Sequence, residues 1–168
     1  LAADARRVAE WMDRYNASIA ATQKDHPALL REMLAEVGEG AYIRPPFHCD
    51  YGYNISLGRG VFLNFNCVIL DVVKVTIGDR TQIGPGVQIL TADHPRDPAQ
   101  RRTGLEFGRP VTIGADVWIG GSAMISFPAA VLALVAGGIL IALTDKDVQA
   151  AAGYFFARPA DLFRAIWD

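Results

Sequence analysis

Cysteine and histidine are scarce in this chain of 168 residues, with two of the first and three of the second. Two thiols, Cys49 and Cys67, are too few for the disulfide framework of a small secreted domain, and a chain this long can bury a core without one. A reducing, cytoplasmic setting is therefore expected. Excess positive charge is also missing: 16 Lys and Arg stand against 18 Asp and Glu, and no basic stripe runs along the sequence. Nucleic acid is excluded as a partner on that ground. Leu1 to Tyr15 mixes charged and apolar residues at helical spacing, unlike a secretory leader with a basic start and an apolar centre. The first residue is Leu rather than Met, so the sequence leaves open whether residues precede it.

A repeat organises what is present. Apolar or Cys residues recur every six positions at Ile43, Cys49, Ile55, Val61, Cys67 and Val73. After a shorter step the period resumes at Ile77, Ile83 and Ile89, and it returns at Ile113, Ile119, Ile125 and Val131. Gly follows the aliphatic residue at Gly78, Gly84, Gly114 and Gly120, where a sharp turn suits a residue without Cβ. Such a period is the signature of a solenoid, each hexad forming one short strand and a corner. Three hexads per coil would place residue i beneath i+18, inward aliphatics in columns, and Cys49 beneath Cys67. Burial of each inward aliphatic is worth roughly 1.5–3 kcal/mol. Two packed, reduced thiols are expected at the cysteine pair.

Segments outside the repeat read as helices. Asp4 to Tyr15 and Pro27 to Val37 form a cap, the second with Pro27 in its first turn and Gly38 as its stop. Pro159 to Trp167 reads as a terminal amphipathic helix. The organisation expected is a helical cap over 1–42, an all-β solenoid over 43–148 interrupted by a loop at 92–109, and a C-terminal segment over 149–168. The apolar run Phe127 to Leu143 is at the bare minimum for a membrane span. Pro128 and Gly137-Gly138 interrupt it and no basic flank precedes it, so no membrane partner is expected. It reads as continued solenoid core or as a local misassignment of the sequence.

The polar interruption between Ile89 and Val111 is where function is expected, because irregular segments on a regular scaffold carry sites. It contains Asp93-His94-Pro95 and Glu106. His is the side chain whose ordinary pKa suits proton removal near neutrality, which makes His94 the candidate general base. His26 precedes a helix-starting Pro, and His48 lies in an extended run out of the inward phase.

Several stretches carry a family resemblance. They are Pro45-Pro46-Phe47-His48-Cys49-Asp50-Tyr51-Gly52-Tyr53-Asn54, Asn64-Phe65-Asn66-Cys67, Asp93-His94-Pro95, and Pro110-Val111-Thr112-Ile113-Gly114 leading to Val117-Trp118-Ile119-Gly120-Gly121. From about Ala5 to Ile125 the chain resembles the hexapeptide-repeat sugar O-acetyltransferases, the maltose, galactoside and nodulation-factor group. The resemblance implies a left-handed parallel β-helix, acetyl-CoA as co-substrate, a sugar hydroxyl as acceptor, no metal, and a homotrimer with active sites between subunits. It implies Glu106 as the carboxylate partner of His94, and Asp50 and Asn64 as acceptor contacts, with Asp71 a lower-ranked one. On the CoA side it implies Gly121, with Gly120 beside it, as backbone oxyanion donors; Trp118, expected to point outward, is a candidate to pack on the pantetheine arm.

Beyond Ile125 the chain departs from the family's pattern, and Lys146 and Arg158 are the candidate cations for the CoA phosphates. Competing readings are a non-catalytic binding solenoid, an acetyltransferase of an antibiotic or another non-sugar acceptor, and a γ-type carbonic anhydrase. The last needs several histidines on one metal, which this sequence does not supply.

Overall fold

The computed structural model describes residues 2–18 and 26–126. Its strands are two to four residues long and are dealt in turn to three parallel sheets. The first sheet holds β1 (Glu36–Val37), β4 (Ile55–Leu57), β7 (Val75–Ile77) and β12 (Val111–Ile113). The second holds β2 (Tyr42–Ile43), β5 (Phe62–Leu63), β8 (Gln82–Ile83) and β13 (Trp118–Ile119). The third holds β3 (Phe47–Cys49), β6 (Cys67–Leu70), β9 (Gln88–Leu90) and β14 (Met124–Ser126). Each strand pairs with its counterpart one coil later, and alternate side chains from all three sheets meet in one buried cluster.

The coil is longer than three hexads. Ile43 pairs with Leu63, Leu57 with Ile77 and Cys49 with Ile69, so the register advances twenty residues per coil, not eighteen. The two extra residues fall at one corner, the connection from the third sheet back to the first, where Cys49 is followed by its inward successor Leu57 after eight positions. The six-residue period survives in the sequence because each side buries a pair of residues two apart, Ile55 with Leu57 and Val61 with Leu63. A step of six across the long corner lands on the first of the pair instead of the second. Val73 consequently lies on that corner, half-buried, outside the core columns.

This register also separates the cysteines. Cys49 lies beside Ile69 and Cys67 beside Phe47, and both thiols are free and buried. Burial pushes both thiols above their ordinary pKa, which suppresses the reactive thiolate. Neither should react with a bulky disulfide reagent in the folded chain, and both should react once denaturant is added without reductant. Following thiol release by absorbance checks this.

The corners between the first and second sheets are stitched by charge. Arg59 donates to both carboxylate oxygens of Asp79, through its backbone N–H to Oδ1 at 2.8 Å and its guanidinium to Oδ2 at 2.8 Å, and Arg80 forks onto Asp116 one coil further. Glycine is required at Gly78, where a Cβ would stand 2.6 Å from the Gly114 carbonyl carbon.

Helix α1 (Ala2–Ala17) and helix α2 (His26–Met33) precede the coil. Trp11 and Tyr15 are fully buried; the Trp11 indole N–H donates to the Leu29 carbonyl at 2.7 Å and the Tyr15 hydroxyl to the Ile43 carbonyl at 2.5 Å. Asn16 donates from its amide to the Phe47 carbonyl at 3.0 Å and accepts from the Phe47 N–H at 2.8 Å. The second helix stops four residues short of the expected Val37, because Glu36 and Val37 pair with Ser56 and Leu57 as the first strand of the coil. Gly38 is therefore a coil corner, packed 2.4 Å from the Gly58 carbonyl carbon if a Cβ is added, and not a helix stop. The expected terminal helix and the apolar run Phe127 to Leu143 lie outside the described residues.

Candidate active site

The long corner is built around Asp71, which is fully buried. Its Oδ1 accepts from the N–H groups of Asp50 at 3.1 Å and Tyr51 at 2.9 Å, and its Oδ2 from Asn54 N–H at 3.3 Å. The Asn54 amide in turn donates to the Asp71 carbonyl at 2.7 Å. Asp71 is thus occupied in holding the backbone that carries Asp50. It is not placed as an acceptor contact, which corrects that lower-ranked expectation. Its carboxyl is raised above the ordinary range by burial, opposed by the backbone N–H groups of Tyr51, Gly52, Asn54 and Asp71 itself. The half-buried Asp50 is raised as well, by burial first and then by the charges of Asp71 and Glu106.

The same corner in the next coil expands into the polar loop. Its base is an antiparallel pair, β10 (Ala92–Asp93) with β11 (Phe107–Gly108), and Gly108 packs against Val73, whose methyl carbons leave no room for a Cβ. At the tip stands the short helix α3 (Pro98–Arg101), with Asp97 as N-cap and Pro98 in the first turn. His94 follows β10 and is exposed. Its backbone N–H donates to the Asp93 carboxylate at 2.8 Å, and Asp93 is paired with Arg96.

The ring Nδ1 of His94 lies 3.1 Å from the Leu105 carbonyl oxygen. A carbonyl can only accept, so Nδ1 carries the proton and the neutral ring keeps its lone pair on Nε2. That is the tautomer a general base needs. Glu106, the expected partner, is exposed and among the described residues makes no hydrogen bond to His94; the orienting group is the backbone one residue earlier. Its charge is felt instead by Asp50 and Tyr51.

The remaining candidates occupy another corner, between the second and third sheets. Asn64 follows β5, and its Oδ1 accepts from Phe65 N–H at 2.9 Å and from Arg44 at 3.5 Å. With the oxygen taken, the polar groups the side chain has left to offer are its amide N–H donors. Gly120 and Gly121 follow β13 at this corner two coils on. Gly121 stacks so closely on the coil below that a Cβ on Gly84 would come within 2.5 Å of its nitrogen. Trp118 points outward, 79% exposed. The third sheet stands between these residues and the corner of Asp50, Glu106 and His94. Lys146 and Arg158 lie outside the described residues.

Nodulation protein L of Rhizobium meliloti is 61% identical over 123 residues, spanning 73% of this chain and 67% of the relative. A maltose O-acetyltransferase from Clostridium difficile superposes with a TM-score of 0.72 at 37% identity, over 74% of this chain and 67% of that one. The chain belongs to the hexapeptide-repeat acetyltransferase family. Another family member, the Vibrio cholerae hexapeptide-repeat acetyltransferase solved with acetyl coenzyme A, matches at 35% identity and a TM-score of 0.64, over 72% of this chain and 67% of that one. No family model matches the chain. It spans about two thirds of the length of each of these relatives. Among the described residues of this hexapeptide-repeat acetyltransferase, no group of three His, Cys, Asp or Glu side chains could hold a metal ion, and no helix is long and apolar enough to cross a membrane.

The sequence singles out His94 but carries no sign of the group that its ring contacts. The Leu105 carbonyl has no side-chain signature. The Arg44 contact to Asn64 depends on the twenty-residue register, which brings residues of successive coils side by side.

Proposed function

We propose that this chain is an acetyl-CoA-dependent O-acetyltransferase acting on a sugar hydroxyl, with His94 as general base. The observation that carries the reading is the His94 imidazole, whose Nδ1–H is committed to the Leu105 carbonyl so that Nε2 is the basic atom. Nε2 takes the proton of the acceptor hydroxyl as its oxygen attacks the thioester carbonyl carbon. The tetrahedral intermediate then collapses, the C–S bond breaks, and the CoA sulfur recovers the proton from the imidazolium. No acetyl-enzyme forms, in keeping with thiols buried in the core. Backbone donors at Gly120 and Gly121 meet the oxyanion, Trp118 packs on the pantetheine arm, and Lys146 and Arg158 hold the CoA phosphates. Asp50 and the Asn64 amide bind neighbouring sugar hydroxyls. Glu106 contributes a carboxylate to the site near Asp50 and Tyr51, and not as the ring's hydrogen-bond partner. The coil is taken as left-handed, as in the family, and the protein as acting in the cytoplasm.

The two groups of residues lie on different edges of the third sheet, which supports a site shared between copies in a trimer. The decisive experiment mixes the chain with acetyl-CoA and a panel of maltose, glucose, galactosides and oligosaccharides, and follows CoA release with a thiol reagent. Acetylation of none of them overturns the sugar reading. Sharing has its own expected result: His94→Ala and Asn64→Ala chains, each inactive alone, regain a fraction of the wild-type rate when unfolded together and refolded into mixed trimers. Mixed trimers as inactive as the parents would place the whole site within one copy.

A further inference from the structure

The loop bearing His94 contains a turn that the catalytic reading does not use. Asp97 caps α3, with its carboxylate accepting from Ala99 N–H at 3.0 Å. The helix then ends by a succession of backbone bonds, Arg102 N–H to Pro98, Thr103 N–H to Gln100 and Gly104 N–H to Arg101, each at 3.1 Å. Arg101 reaches back across the loop, and its guanidinium donates to the Pro95 carbonyl at 3.1 Å and the Arg96 carbonyl at 3.4 Å. The two residues after His94 are thereby tied to the helix. Gly104 follows with φ of +77°. Immediately after it, Leu105 presents its carbonyl to the His94 ring.

Glycine at this position is not explained by crowding, since a Cβ on Gly104 would meet nothing within 4 Å. Gly78 and Gly84 differ, because a Cβ on either would strike the backbone of the next coil. What Gly104 supplies is the left-handed backbone conformation, which side chains other than Asn and Asp rarely adopt. Without it the chain leaves α3 in another direction and the Leu105 carbonyl moves off the ring.

We infer that Gly104 is a positioning residue, whose left-handed turn sets the Leu105 carbonyl and through it the tautomer of His94. The catalytic consequence rests on the proposed acetyl transfer, whereas the tautomer can be read without it. The test compares Gly104→Val and Gly104→Asn with the wild type, using imidazole 15N signals at a pH where the ring is neutral, with His94 assigned by its loss in His94→Gln. In the wild type, His94 should show the Nδ1–H form. Gly104→Val should move the ring toward the Nε2–H form that free imidazole favours, and lower kcat about 100-fold, as expected for a misplaced catalytic group. KM for acetyl-CoA and the thermal midpoint should stay unchanged. Gly104→Asn, which tolerates the left-handed region, should restore both the tautomer and kcat.

A Gly104→Val chain with wild-type tautomer overturns the inference whatever its rate. So does a folded Gly104→Asn chain that behaves like Gly104→Val, because the backbone angle is then not what matters. If the wild type acetylates no sugar, the proposed function fails while the nitrogen signals still decide this inference.

Discussion

Replacing His94 by Ala should slow acetyl transfer by about 10³-fold, within the range that general-base catalysis contributes, while acetyl-CoA binds as before. The separation follows from where the ring sits. His94 is exposed on a loop, its ring hydrogen-bonds the Leu105 carbonyl, and it is not among the residues of the buried core cluster. Truncation therefore removes the lone pair on Nε2 without opening a cavity or freeing a buried charge. A loss confined to kcat, with the affinity for acetyl-CoA measured by calorimetry unchanged, would identify an interaction made only as the proton moves. Free imidazole in the buffer should recover part of the rate of the Ala variant, because the missing group is a base of that chemistry. Parallel loss of rate and of acetyl-CoA binding would instead mark the residue as structural, and an unchanged rate would remove the general base from the mechanism.

Asp71→Ala should be the most destabilising change at the long corner, by about 2–4 kcal/mol, since it leaves three backbone N–H groups without their acceptor at about 1–3 kcal/mol for each one that stays buried. Asp71→Asn should cost about 1 kcal/mol, because the amide oxygen can still receive the Asp50 and Tyr51 N–H groups and only the longer bond from Asn54 meets a donor instead. The pH dependence has a defined sign. Burial raises the Asp71 carboxyl in the folded chain above its unfolded value, so between those two values the folded state binds more protons. Its contribution is fully present below the unfolded pKa and is lost as pH rises through the raised folded value. The margin of the wild type over Asp71→Ala should accordingly widen from neutral to mildly acidic pH, measured by urea unfolding. A margin that shrinks on acidification would mean that the ionised form is the favoured one. Activity should fall with stability, as Asp50 loses the backbone frame that aims it.

The solenoid was legible because its cause is local: a side chain pointing inward at fixed spacing must be apolar whatever lies elsewhere. The length of the coil was not legible, because two inward residues per side let a six-residue period persist across a corner that holds eight. Cys49 and Cys67 show the consequence, neighbours by the shorter register and apart in the true one. Val37 failed for a related reason, since its place on the apolar face of a helix is equally its place as the inward residue of a strand, and only pairing with Leu57 decides. At the site, His94 stood out because a polar loop interrupts the repeat and its residues match the family. Asp71 was misjudged because burial cannot be read from one Asp among others. Gly104 went unnoticed among 16 glycines, although Asp97-Pro98 ahead of it is the start signal of a short helix and a Gly shortly beyond is its usual stop.

The pairing of Asn16 with Phe47 has a consequence for the molecule as a whole. A stack of parallel coils has no intrinsic limit, and its first turn offers the same row of donors and acceptors that every later turn satisfies with its neighbour. By mimicking one residue of an additional strand with a side-chain amide, the first helix occupies β3 at the point where a foreign segment would begin to add. The leading helices are in that sense a terminator as well as a cap: they oppose the addition of a further strand at Phe47.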